Sequence, residues 1–192
     1  MNKKLIVKSL VVIFILMQAG LAFCAGGGND KDLPKEGTIL PDLTFPIPVV
    51  KKDIKNLGLD KSMKTFKLKD LNCDVVLLEV VGVYCPICFE QAPLFNKLFK
   101  RIKKKKLSKK VKFIGIAAGA NAALVDAIRK STYKFPVVAD EDMAINKKLG
   151  GPGTPFSMLV KMNGDKAEVI YTHKGLDKDI GGLYKKIKAS VK

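Results

Sequence analysis

The chain has one histidine, no tryptophan and only four cysteines among its 192 residues. This scarcity excludes several chemistries. A structural zinc site draws four ligands from cysteine and histidine, yet Cys24, Cys73 and His173 make no second pair to join Cys85 and Cys88. Covalent haem attachment would need a histidine directly after Cys88, where Phe89 stands. Acidic residues are scarce too, 18 against 35 Lys and Arg, for a net charge of +17. Much of that excess lies in residues 97–112, K-L-F-K-R-I-K-K-K-K-L-S-K-K-V-K, a run that contains Phe99 alone rather than interleaved aromatics for base stacking. It reads as a solvated helix end and loop, favourable to the helix dipole, and not as a nucleic-acid surface.

What is present begins with a leader. Lys3, Lys4 and Lys8 precede an apolar stretch over residues 10–17 and then small residues, the pattern of an export signal, here assigned to residues 1–25. Leu21-Ala22-Phe23-Cys24 resembles a lipoprotein box, with Phe23 where a small residue is usual, so a lipid anchor and an uncleaved anchor both remain open. Residues 26–40, starting Gly-Gly-Gly, read as a linker, and residues 41–192 as one domain. The expected location is the periplasm or cell envelope.

Prolines at 34, 41, 46 and 48 exclude a central strand there and predict an extended edge segment crossing the sheet, with a lead-in strand over residues 41–45. Residues 51–64 are lysine-rich and weakly patterned, and residues 65–68 alternate as a half-buried strand, followed by a turn at 69–71. The run V-V-L-L-E-V-V-G-V from Val75 is too short for a membrane helix and suits a central strand covered on both faces. Glu79 is its one charge, and a buried carboxylate there needs a reason. Apolar residues from Ile87 to Ile102 recur at helical spacing, with Pro86 suited to the first helical position and Pro93 expected to kink the helix. Further strands are predicted at 111–117 and 135–138, and helices at 121–130, capped by Asn121, and 142–149. A hairpin follows, strands 156–162 and 167–172 joined at Asn163-Gly164-Asp165, and a basic helix over 176–191 closes the chain. Strands alternating with helices, then a hairpin and helix, make an α/β domain with a mixed sheet.

The chemistry centres on Cys85-Pro86-Ile87-Cys88, at the junction of the central strand and a helix. A thiolate at a helix N-terminus is stabilised by backbone N–H groups and by the dipole, so Cys85 is the expected attacking thiol. Cys88, one turn inside, is the expected resolving thiol, able to attack a mixed disulfide at Cys85. An inert disulfide is the alternative. Cys73 reads as a structural thiol, and His173 as a surface or edge residue.

Taken together these stretches resemble the thioredoxin superfamily, and most closely its exported TlpA/ResA-like thiol-disulfide oxidoreductases, from about Pro41 to the C-terminus. Tyr84 stands in the family's tryptophan position before the Cys-x-x-Cys pair. Glu79 falls where family members carry a buried acid that exchanges a proton with the resolving cysteine, and Gly153-Thr154-Pro155-Phe156 looks like the cis-proline loop that faces the site. The resemblance implies a thioredoxin-like fold with an N-terminal extension. It also implies catalysis by Cys85, Cys88 and Glu79, substrate contact through Tyr84, Pro86, Thr154 and Pro155, and no cofactor beyond the dithiol. The implied partners are disulfide-bearing envelope proteins, apocytochrome c among them, and an unidentified membrane electron donor. With no histidine between the cysteines, the pair is expected to act as a reductant. Two other readings stand beside it: a peroxiredoxin-like peroxidase, which would want threonine where Gly82 stands, and a non-catalytic binding module of the envelope.

Overall fold

The computed structural model describes residues 30–191, so the predicted leader, Cys24 and the Gly-rich start of the linker, residues 26–29, lie outside the described residues. Five strands form the main sheet in the order β5-β4-β3-β6-β7. They are β3 (Val75–Val81), β4 (Val111–Ala118), β5 (Val137–Asp140), β6 (Phe156–Asn163) and β7 (Lys166–Lys174). The three consecutive strands β3, β4 and β5 pair in parallel, and β6 and β7 add antiparallel. All seven residues of β3 are buried, because it is central in the sheet and covered on both faces.

Two apolar layers cover the sheet. One holds Cys88, Ala92, Phe95, Leu98 and Ile102 of helix α2 (Pro86–Lys104), Val125 and Ile128 of α3 (Ala122–Ser131), and Leu183 and Ile187 of α5 (Ile180–Ser190). The other holds Leu57 of α1 (Lys51–Leu57), Ile145 of α4 (Ala144–Lys148), and Phe45 and Phe66 from a two-stranded ribbon, β1 (Thr44–Pro46) with β2 (Thr65–Lys67). Strand alternation sorts the residues of β3: Val75, Leu77 and Val81 face the α2 layer, whereas Val76, Leu78 and Val80 face the other. Glu79 therefore points under α2.

Several expectations change. The proline-rich lead-in crosses one face of the sheet as expected, from residues 37–40 along the edge of β7, where the Leu40 N–H donates to the Ala167 carbonyl, to β1 beside β5 at the opposite edge, but β1 pairs β2 in a ribbon of its own. Leu68 leaves its predicted strand for a 3₁₀ turn over Leu68–Leu71. The weakly patterned lysine-rich stretch contains a true helix, α1, ended by Gly58 in a left-handed conformation (φ 81°) whose N–H caps the Ile54 carbonyl. Helix α4 spans five residues, shorter than predicted. The last helix starts at Ile180 rather than Leu176, since Asp179 caps it through the Gly182 N–H and Asp177 is held elsewhere. Helix α2 runs from Pro86 to Lys104 with the exposed Pro93 inside it, and its basic end is solvated as expected.

Candidate redox site

Cys85 is the N-cap of α2, in an extended conformation, with Pro86 in the first turn. Its Sγ accepts a hydrogen bond from the Cys88 N–H at 3.2 Å and donates to the Thr154 carbonyl at 3.4 Å. The Thr154-Pro155 peptide bond is cis. The loop before β6 thus brings its backbone against the first cysteine, 69 residues away in sequence. Gly82 makes the approach possible: a Cβ there would sit 3.0 Å from Thr154 Oγ1 and 3.1 Å from Cys85 Cβ. A threonine at this position, as the peroxidase reading wants, would press on both neighbours.

The two thiols differ in surroundings. Cys85 is partly exposed, whereas Cys88 is fully buried. Burial first, and then its hydrogen bond with Cys85, push the Cys88 thiol up to about 12, against a smaller opposing pull from the Gly82 backbone and the Thr154 side chain. Iodoacetamide at neutral pH should therefore label Cys85 much faster than Cys88 in the folded, reduced protein, as peptide mass mapping of a time course would show. Equal labelling rates would contradict this ordering.

Beneath the pair lies Glu79, 1% exposed, its Cα paired with Gly115 on β4 and Ser157 on β6. Burial, reinforced by the charge of Cys85, holds its carboxyl well above the usual carboxylate range. Neither of its oxygens has a hydrogen-bond partner among the described residues. Around the pair the surface is apolar, with Tyr84, Ile87 and Phe89 all exposed.

A network that the sequence did not announce fixes the start of α2. Gln91, fully buried one turn after Cys88, accepts from the Asp177 N–H at 2.6 Å and donates to the Asp177 carbonyl at 3.2 Å. The Asp177 carboxylate in turn accepts from the Tyr171 hydroxyl at 2.7 Å. The helix carrying both cysteines is thereby tied to the β7–α5 connection. Ser157 was also missed, although its place two residues after Pro155 on a strand puts it on the Glu79 face.

His173 sits partly exposed on edge strand β7, stacked on Tyr171. Cys73 precedes β3, so a strand of seven residues, about 23 Å, separates it from the cysteine pair that follows β3. Burial first pushes its thiol up to about 11. No helix among the described residues is long and apolar enough to cross a membrane.

The sequence model of the Redoxin family matches residues 35–187. Curated relatives include the thiol-disulfide oxidoreductase ResA of Bacillus anthracis, 26% identical over 172 residues, covering 88% of this chain and 90% of the relative. ResA of Geobacillus kaustophilus is 22% identical, covering 88% of each chain. Among solved structures, a thiol:disulfide interchange protein assigned as DsbE from Chlorobium tepidum superposes with a TM-score of 0.61 at 21% identity, over 82% of this chain and 98% of that one. The thioredoxin domain of a Bacteroides vulgatus thiol-disulfide oxidoreductase gives 0.57 at 16% identity, over 82% and 99%. With the fold, the Cys85/Cys88 pair and these matches in agreement, the chain belongs to the Redoxin family and is a TlpA/ResA-like thiol-disulfide oxidoreductase of the thioredoxin superfamily.

Proposed function

We propose that this protein reduces disulfides of exported proteins, with Cys85 attacking and Cys88 resolving. The observation that carries the reading is the contrast between the thiols: one partly exposed at a helix N-terminus, the other sealed beneath it above a buried acid. The Cys85 thiolate attacks one sulfur of a substrate disulfide, expelling the other as a thiolate and forming a mixed disulfide. Glu79 then takes the Cys88 proton. The Cys88 thiolate attacks the Cys85 sulfur and expels the second substrate sulfur as a thiolate, which takes up a proton from solvent while Glu79 gives its own up. The two electrons gained by the substrate are matched by the new Cys85–Cys88 disulfide.

Substrate is seated by two surfaces. The Thr154 backbone beside cis-Pro155 offers main-chain hydrogen bonds to an extended segment, while Tyr84, Pro86, Ile87 and Phe89 offer apolar contact. Apocytochrome c and other disulfide-bearing envelope proteins fit this mode. The leader supports export, and a membrane electron donor would return the pair to its dithiol form.

A trapping experiment tests the assignment. Cys88→Ser should accumulate a mixed disulfide on Cys85 when given a disulfide-bonded unfolded protein, released by dithiothreitol, and Cys85→Ser should accumulate none. Failure of Cys88→Ser to capture substrate, with no disulfide turnover by the unmodified protein, would reject the reading. Turnover of peroxide without a disulfide substrate would replace it with a peroxidase.

A further inference from the structure

Among the described residues, the buried side-chain oxygens without hydrogen-bond partners are both oxygens of Glu79, the Tyr133 hydroxyl and the Ser157 hydroxyl. All three residues belong to one place. Ser157 lies opposite Glu79 on the neighbouring strand, with its side chain on the same sheet face. Tyr133, 1% exposed, packs in the same apolar layer as Cys88, where the α3–β5 connection returns to the sheet. Its hydroxyl is pushed up by burial and then by the charges of Glu79, Cys88 and Cys85, so it lies within their field. Orphaned buried polar atoms are rare in native proteins, and a cluster of them signals a shared partner. Two hydroxyls and a carboxyl match the three or so hydrogen bonds that an internal water makes.

We infer that Tyr133 and Ser157 are positioning residues of the proton relay, donating to the Glu79 carboxylate through a buried water and so holding it ready for the Cys88 proton. The inference rests on the role proposed for Glu79. The charge of Cys85 acts on that carboxyl, and Tyr133 from the α3–β5 connection shares a field with Glu79, Cys85 and Cys88. The nearest titratable group on the β6–β7 side is His173, two strands from Glu79 in register and stacked on Tyr171. Gly115 on β4 adds none. A donor to the charged form favours that form. Without Tyr133's hydroxyl, Glu79 therefore holds its proton to still higher pH, and below that midpoint less of it is in the carboxylate form that can take one from Cys88.

Stopped-flow kinetics across pH separates the outcomes. Tyr133→Phe should leave mixed-disulfide formation at Cys85 unchanged, move the midpoint of the resolution profile up by about one unit, the scale of one lost hydrogen bond to a charge, and so slow resolution by about tenfold on the low-pH side of that profile. Ser157→Ala should move it the same way. In a Glu79→Gln background Tyr133→Phe should add nothing. If Tyr133 is only a core residue, its phenylalanine variant will keep the midpoint in place, and that result overturns the inference. A full additional loss in the Glu79→Gln background overturns it as well. Glu79→Gln without any effect on resolution would instead remove the underlying reading, and this inference with it.

Discussion

Glu79→Gln should slow resolution of the mixed disulfide by about a hundredfold, the lower range for a positioned general acid or base, and leave its formation by Cys85 within twofold of normal. The asymmetry follows from the site. Cys85 faces the Thr154 carbonyl at the surface and needs no internal base to meet substrate. Cys88 is sealed from water, and its thiol, pushed up to about 12, keeps its proton until a neighbouring group removes it. Glutamine preserves the shape of the side chain but cannot accept that proton. Rapid-mixing measurements with quench and gel separation of the mixed disulfide would show it accumulating. Equal slowing of both steps would reduce Glu79 to a structural part.

The same substitution should alter stability in a pH-dependent way. Glu79 is protonated in the folded state at pH values where the unfolded chain, near the ordinary 4.5, has already released the proton. Folded protein then binds more protons than unfolded, so this group's contribution falls as pH rises through that window, by up to about 1.4 kcal/mol per pH unit. Glu79→Gln abolishes the loss. Its urea midpoint should match the unmodified protein's near pH 4 and exceed it at pH 7.5.

The parts legible in the sequence share a cause: their signals are local. The continuous apolar run of β3, the Asn163-Gly164-Asp165 turn, and Pro86 after the first cysteine each declare themselves within ten residues. Glu79 was legible because a charge within that apolar run has no surface to reach. Tyr133 and Ser157 were not, since their relation to Glu79 arises only when the β4–α3–β5 crossover and the hairpin close over β3. Helix α1 was missed for a related reason. Its Lys-rich face masks only two apolar residues, Ile54 and Leu57, and its third buried residue is Asp53, whose burial depends on a partner 76 positions away.

That partner gives the largest stability effect expected in the chain. Asp53 is fully buried, and Arg129 of α3 meets it in a two-pronged pair, Nε to Oδ2 at 2.6 Å and Nη2 to Oδ1 at 2.7 Å, while Nη1 donates to the Tyr133 carbonyl. Replacing Arg129 with leucine strands a buried carboxylate and should cost about 3–5 kcal/mol in urea unfolding. The double variant Asp53→Leu/Arg129→Leu removes both charges, and should recover all but the roughly 1 kcal/mol tied to the Tyr133 carbonyl left without its donor. A single-variant cost below about 1 kcal/mol, the range of exposed pairs, would show that water reaches the bridge. The arginine holds three pieces together: α1, α3 and the backbone at Tyr133. Its loss should therefore speed amide exchange in α1 and at residues 131–135 well before it reaches β3, where all seven residues are buried.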